Sequence, residues 1–148
     1  MNIKKLLPIL LYLLPWFLSS IIFKIDTNYY QTLSKPFFAP PSYIFAIIWP
    51  ILYILIAYTI YKVIPFSNNK YKKTLIINYI SNQLYTFFFF TQKSNSLALI
   101  DTIIVLISSI ILYKETNNID TKTSKYLIPY LLWNTFATIL SLSITIMN

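Results

Sequence analysis

The stretch SYIFAIIWPILYILIAYTIY, residues 42–61, contains no charged residue and decides the fold. A transmembrane helix needs about 20 predominantly apolar residues to cross the roughly 30 Å hydrocarbon core of a bilayer. The stretch meets that length without interruption, so it predicts a helix that spans a membrane. Four neighbouring stretches have the same character, at about residues 6–23, 74–90, 96–113 and 124–147.

Together these stretches predict an all-α integral membrane protein, a bundle of five transmembrane helices that forms a single domain over residues 1–148. Of the connections between them, only the first, 24–41, is long enough for structure of its own. It is rich in proline and ends in Pro40 and Pro41, which favours an extended conformation. We expect this segment to form a lid over the bundle, with the second helix beginning at Ser42.

The composition agrees with a membrane protein. The chain is 57% hydrophobic and 11% charged, with a mean hydropathy of +0.62, whereas a soluble domain carries about 25% charged residues. The net charge of +8 comes from 12 lysines, without arginine, against 4 acidic residues. We expect no nucleic-acid binding, because recognition of bases and phosphates relies heavily on Arg and these lysines lie between apolar stretches.

The lysines are distributed unequally between the two ends of the predicted bundle. Nine precede the first helix or lie in the second and fourth connections, and three lie in the first and third. Cytoplasmic loops are enriched in Lys and Arg. The N-terminus is therefore predicted to be cytoplasmic and residues 24–41 to lie outside.

The residue types that are missing exclude several chemistries. The chain has no Cys, no His and no Gly, which excludes disulfides, thiol chemistry and the usual transition-metal sites. We expect neither a metal site nor a cofactor. Hydrolysis and phosphoryl transfer are disfavoured as well, because a His or Cys base or nucleophile, paired carboxylates in one span and a Gly-rich loop are all absent from the sequence.

An aromatic stripe on the second helix is a candidate binding surface. Phe45, Trp49 and Tyr53 follow one another at intervals of four residues, so they lie on one helical face. Such a stripe either packs within a bundle or contacts lipid, or it forms a flat wall for a planar ligand. Trp49 lies well inside the span, away from the membrane interface where tryptophans normally collect.

A polar line runs along the third helix, formed by Asn78, Asn82 and Tyr85 or Thr86, with Gln83 adjacent. Amides at membrane depth must find partners inside the protein or face a cavity. Hydrogen bonding between helices is the slightly favoured interpretation, ahead of ligand binding.

Asp101 is the only acidic residue within a predicted span. Three interpretations remain open for it. It is stabilised by the N-terminus of the fourth helix, it pairs with a lysine, or it bonds to the third helix.

Four segments of the chain form an ordered set of motifs. The first is KPFFAPPSYIF (35–45), followed by Trp49, Leu52 and Tyr53, and the others are Asn82-Gln83, LALID (97–101) and LIPYLLWNTFAT (127–138). In this order and at this spacing they resemble the translocator protein family, also called TspO/MBR, tryptophan-rich sensory protein or peripheral benzodiazepine receptor. The chain is similar to bacterial members, which implies a bacterial cell membrane as its location.

The resemblance implies a five-helix bundle, often a homodimer, with a pocket under the connection between the first two helices. It implies that protoporphyrin IX, related tetrapyrroles and isoquinoline-type ligands bind within the lipid bilayer. It also implicates Trp49 and Trp133 as the catalytic residues of light-dependent porphyrin breakdown. Carried over position by position, the ligand-binding residues are Ser20, Tyr30, Phe38, Pro41, Phe45, Trp49, Tyr53, Asn82, Gln83, Tyr85, Trp133 and Ala137.

The chain departs from the family pattern at several positions. Phe38 stands where a tryptophan is frequent, and Ile139 stands where a tyrosine is frequent. Pro50 directly follows Trp49, which can alter the direction of that indole. Without glycine, a dimer face of the G-x-x-x-G kind cannot exist, so a homodimer would need small residues such as Ala or Ser.

The leading functional hypothesis is a membrane protein that senses, sequesters or light-dependently degrades porphyrins. The alternatives are a transporter of porphyrin or lipid-like cargo and a regulatory membrane partner without turnover.

Overall fold

We describe a computed structural model of the chain that covers residues 3–148, with side chains from Leu7 onward; Lys4 and Lys5, counted above, lie outside the described side chains. Over this range the structure is helical and has no strand, which confirms the all-α prediction. The helices are α1 (Ile3–Leu13), α2 (Leu18–Ile22), α3 (Thr27–Thr32), α4 (Ser42–Val63), α5 (Asn69–Thr86), α6 (Asn95–Ile119), α7 (Thr121–Ser124) and α8 (Ile128–Met147).

Tighter or wider helical turns join several of these helices. Pro15 lies in the turn between α1 and α2 and has no N–H to donate, which accounts for the break there. The turns are of 3-10 geometry at Leu14–Phe17, Ile64–Phe66 and Lys125–Leu127, and of π geometry at Phe87–Thr91.

Three helical segments are long and apolar enough to cross a membrane: Ser42–Phe66, Asn95–Ile119 and Thr121–Met147. They agree with the prediction of an integral membrane protein. The segment Leu7–Ile22 is apolar but shorter, and α5 buries several polar side chains. That these two segments also cross the bilayer stays a prediction.

Polar caps extend helices beyond the apolar stretches from which they were predicted. Asn68 accepts a hydrogen bond of 2.8 Å from the N–H of Tyr71, and α5 begins before the predicted stretch 74–90. Asp120 accepts hydrogen bonds from two amides of α7. Caps satisfy backbone donors that have no partner within their own helix. These helices therefore continue into the polar connections.

The connection 24–41, here called the cover, contains a short helix where an extended segment was predicted. The Asp26 carboxylate accepts a hydrogen bond of 3.1 Å from the N–H of Tyr29 and so caps α3. Behind α3, Lys35 Nζ donates to three main-chain carbonyls of the cover at 2.8, 3.1 and 2.8 Å. The extended prediction is wrong for Thr27–Thr32, because polar side chains of the cover satisfy both ends of this helix.

Two sets of contacts tie the cover to the rest of the chain. Asn148 Oδ1 accepts from the Ser34 N–H, and Asn148 Nδ2 donates to the Ser34 carbonyl, each at 2.9 Å. The Tyr29 hydroxyl donates to the Lys93 carbonyl at 3.2 Å, and Lys93 Nζ lies 3.4 Å from the Asp26 carboxylate. The Tyr29 amide and the Lys93 ammonium keep the pKa of Asp26 below its usual value, so the carboxylate is ionised at neutral pH.

A buried network of amides and hydroxyls joins α5, α6 and α8. Asn78 is fully buried, and its Nδ2 donates to the Val105 carbonyl at 3.1 Å and to the Ser108 hydroxyl at 2.8 Å. Its Oδ1 accepts from the Tyr130 hydroxyl at 2.9 Å. Because no water reaches membrane depth to replace such partners, Asn78 binds the three helices together, as the favoured interpretation of the polar line predicted.

We expect Asn78→Ala to lower the free energy of unfolding by about 2 kcal/mol, since several interhelical bonds of roughly 0.6 kcal/mol each are lost and Tyr130 loses an acceptor. The measurement is the unfolding midpoint of purified protein in detergent, by circular dichroism. The exposed Asn118 supplies the matched control, and Asn118→Ala should leave the midpoint unchanged. Equal midpoints for the two variants would contradict a structural role of the network.

Candidate ligand-binding cavity

A cavity of about 370 Å³ lies inside the bundle, at the lower end of the roughly 300–1,000 Å³ range typical of small-molecule sites. Its lining comes from the cover, from α2, α4, α5, α6 and α8, and from the turns Leu14–Phe17 and Phe87–Thr91. The residues are Trp16, Phe17, Ser19, Ser20, Ile25, Thr27, Tyr30, Ser42, Phe45, Ala46, Trp49, Pro50, Tyr53, Asn82, Tyr85, Thr86, Phe89, Phe90, Thr102, Val105, Asn134, Ala137, Leu140, Ser141 and Ile144.

Aromatic rings in mutual contact form one wall of the cavity. The ring centroid of Tyr53 lies 5.4 Å from that of Trp49 and 5.4 Å from that of Trp16, with tilts of 33° and 31°. Phe45, one turn before Trp49, contacts Tyr30 of the cover at 5.7 Å. The stripe predicted on the second helix therefore faces the cavity, and it offers flat apolar surface to a ligand.

Hydrogen bonds hold the deep end of this wall in place. The Tyr53 hydroxyl donates to Asn82 Oδ1 at 3.0 Å, and Asn82 Nδ2 donates to the Tyr130 hydroxyl at 3.1 Å. Asn134 Nδ2 donates to the Ser109 hydroxyl at 2.8 Å. The two cavity-lining amides thus belong to the network that also contains Asn78, and their positions are determined before any ligand binds.

Tyr30 closes the cavity at the cover. It is 6% exposed, and its hydroxyl donates to the Pro40 carbonyl at 2.8 Å. Burial raises the pKa of Tyr30, so the hydroxyl remains protonated at neutral pH and keeps this bond. The bond holds two parts of the cover against each other above the lining of α4.

Eight of the twelve residues proposed from the sequence line the cavity. They are Ser20, Tyr30, Phe45, Trp49, Tyr53, Asn82, Tyr85 and Ala137.

Gln83 does not line the cavity, because the first helix uses its side chain. Gln83 Oε1 accepts from the Ser19 N–H at 2.7 Å, and Nε2 donates to the Trp16 carbonyl at 3.4 Å. The 3-10 turn around Pro15 leaves main-chain groups without regular helical partners, and Gln83 supplies partners for two of them. The Gln83 side chain therefore stabilises the broken first helix and does not face the cavity.

Trp133 lies behind the aromatic wall and not in it. Its ring is perpendicular to that of Trp49 at 6.5 Å and lies 5.8 Å from that of Phe45. Its indole Nε1 is buried and makes no hydrogen bond to the side chains and main chain described from residue 7 onward. Trp133 reaches the cavity only through Trp49 and Phe45.

Phe38 and Pro41, the remaining two proposed residues, are on the outer part of the cover. Phe38 is 37% exposed and contacts Phe136 at 6.2 Å between ring centroids. Pro41 is exposed and precedes the first residue of α4. They shape the cover without contributing to the lining.

Sequence reasoning did not assign Trp16, Asn134 or Ser141 to the site. Trp16 follows the proline that breaks the first helix, a local geometry that helical periodicity does not reveal. Ser141 lies one turn after Ala137 on α8, so extending that helical face would have found it.

Asp101 lies outside the cavity. It is 3% exposed and adjoins the Ser81 side chain of α5, which favours the interpretation that it bonds to the third helix. Its Oδ2 has no hydrogen-bond partner among the described residues.

The cavity is suited to binding an apolar, planar molecule. Within residues 7–148 no group of three or more His, Cys, Asp or Glu side chains is placed to hold a metal ion. The cavity therefore offers a ligand aromatic surface, a few amides and several hydroxyls. Tryptophan is the side chain there that can give up an electron to an excited or oxidising ligand.

Comparison with known proteins places this cavity in a family context. The sequence profile of the TspO/MBR family matches residues 6–147. The tryptophan-rich protein TspO of Bacillus cereus is 36% identical over 136 residues, 90% of this chain and 89% of that protein. The uncharacterized membrane protein YtaB of Bacillus subtilis is 37% identical over 86% of this chain and 84% of its own length. The tryptophan-rich protein TspO of Archaeoglobus fulgidus is 31% identical across 100% of this chain and 99% of that protein.

Proposed function

The chain belongs to the TspO/MBR family, and from that premise we propose that it binds protoporphyrin IX or a related tetrapyrrole in the cavity. The observation that carries the proposal is the aromatic wall of Trp16, Tyr53 and Trp49 inside a partly enclosed, largely apolar cavity. A planar macrocycle stacks on such a wall. Isoquinoline-type ligands, which are also flat and apolar, suit the same surface.

Bound porphyrin would lie against Trp49, which supports light-dependent chemistry as part of the proposal. In the first step the excited porphyrin gains one electron and the Trp49 indole loses it, giving a porphyrin radical anion and an indole radical cation. Trp133, 6.5 Å from Trp49, can then reduce the Trp49 radical cation by giving up an electron of its own. Trp49 is the direct donor in this scheme, and Trp133 acts through it.

Porphyrin binding is tested by titrating purified protein in detergent with protoporphyrin IX and following the Soret absorbance. We expect the wild type to bind protoporphyrin IX saturably. Trp49→Phe removes ring contact and Asn82→Ala disturbs the aromatic wall, so each should raise the Kd about tenfold. Tyr126→Phe is the control, because Tyr126 pairs with Tyr58 away from the cavity lining. Absence of saturable binding by the wild type would refute the proposed ligand and favour transport of another cargo or regulation of a partner.

Light-dependent breakdown is tested separately, at saturating porphyrin, by the loss of Soret absorbance under illumination. We expect Trp49→Phe to slow this loss at least tenfold, on the order of 1.4 kcal/mol in barrier, and Trp133→Phe to slow it less. Samples kept in the dark are the control. Equal rates for wild type and both variants would exclude tryptophan as the electron donor while leaving binding intact.

The orientation follows from the lysines and is part of the proposal. We propose that the N-terminus is cytoplasmic, which with five spans puts the cover and Asn148 outside. The chain has no cysteine, so Asn148→Cys should react with an impermeant maleimide on intact cells. Asn69→Cys, at the exposed start of α5, should react only after permeabilisation. The reverse pattern would overturn this orientation. The homodimer implied by the family resemblance stays a prediction.

A further inference from the structure

Ser141 differs from every other serine and threonine of α8 in what its hydroxyl contacts. Thr135, Thr138, Ser143 and Thr145 each donate to the carbonyl four residues earlier, at 2.9, 2.8, 2.9 and 2.8 Å. Ser141 is 5% exposed and lines the cavity, yet its hydroxyl makes no hydrogen bond to any residue of the described range. In an apolar interior a hydroxyl without a partner is unfavourable, so this one is available to a ligand.

Five further hydroxyls of the lining make no hydrogen bond within the part of the chain that the structure describes: those of Ser19, Thr27, Ser42, Tyr85 and Thr86. Ser42 is also the first residue of α4, and the preceding Pro41 provides no side-chain cap. The first amides of a helix lack partners in their own helix, and its N-terminus carries partial positive charge that favours an anion.

Of these hydroxyls, those of Ser42, Thr86 and Ser141 lie toward the cover. Ser141 is about two turns before Asn148, which bonds to Ser34 of the cover, and Thr86 immediately precedes the π turn that leads to Lys93. The deep end is different, because the Asn82 and Asn134 amides there already bond to Tyr53, Tyr130 and Ser109. Three donors without partners thus lie at the end of the cavity that adjoins the cover.

We propose that Ser42, Thr86 and Ser141 form a subsite for a carboxylate of the ligand and determine its direction in the cavity. The inference rests on the proposed function, since it assumes a tetrapyrrole in this cavity. The hydroxyls donate to the carboxylate oxygens, and the N-terminus of α4 adds a favourable field. The propionate edge of the macrocycle then points to the cover, and its alkyl edge packs at the deep end.

Lys35 of the cover and Lys93 of the third connection already have partners. Lys35 Nζ is bonded to carbonyls of the cover itself, and Lys93 Nζ is paired with Asp26. The three hydroxyls of the subsite are neutral donors, so their contribution is that of hydrogen bonds to a charged group.

The test compares two porphyrins of the same ring size, protoporphyrin IX with two carboxylates and etioporphyrin I with alkyl groups only. Ser141→Ala should weaken protoporphyrin binding about tenfold and leave etioporphyrin binding unchanged. Ser143→Ala removes a hydroxyl that is bonded to its own helix and should change neither affinity. Ser141→Cys, whose thiol is close in size to the hydroxyl but a weak donor, should also weaken protoporphyrin binding.

The outcomes separate the inference from the function on which it rests. If Ser141→Ala weakens both porphyrins equally, or neither, the carboxylate subsite is wrong and porphyrin binding stands. If neither porphyrin binds the wild type, the proposed function fails and the subsite fails with it.

Discussion

The hydrocarbon interior of a bilayer offers no water to an amide or hydroxyl, so each such group has to find its partner within the protein. Asn78 meets this constraint by hydrogen bonding to α6 and α8. The hydroxyl of its partner Tyr130 also accepts a hydrogen bond from Asn82. Asn82 in turn holds Tyr53 of α4. One continuous chain of bonds thus links four helices, and loss of one member leaves its neighbours without partners.

The shape of the cavity follows from that chain of bonds. Tyr53 is held by its hydroxyl, and the rings of Trp49 and Trp16 both pack against it. The amides that hold the wall are largely committed to the protein, which leaves aromatic surface as the main contact for a ligand. The cover completes the enclosure through Tyr30, whose ring contacts Phe45 and whose hydroxyl bonds to Pro40.

Apolar stretches predicted the helical membrane fold because their length and composition suit a bilayer. The proposed lining came from the family resemblance, and eight of its twelve residues line the cavity. Two features depended on contacts distant in sequence and could not be predicted from it. Gln83 serves the broken first helix across 64 residues, and Trp133 lies one ring behind the cavity. The helix in the cover depends on caps from Asp26 and Lys35, residues that look like ordinary loop charges in the sequence.

The polar face of α5 has a consequence for how the protein is made. Asparagine is unfavourable in a helix that enters the bilayer alone, because its amide would meet lipid before it meets a partner. The partners of Asn78 are on the next helix, α6, after a connection of only a few residues. Co-insertion of α5 and α6 as a helical hairpin would satisfy that amide during biogenesis, so the biosynthetic order of the chain and its hydrogen bonding are matched.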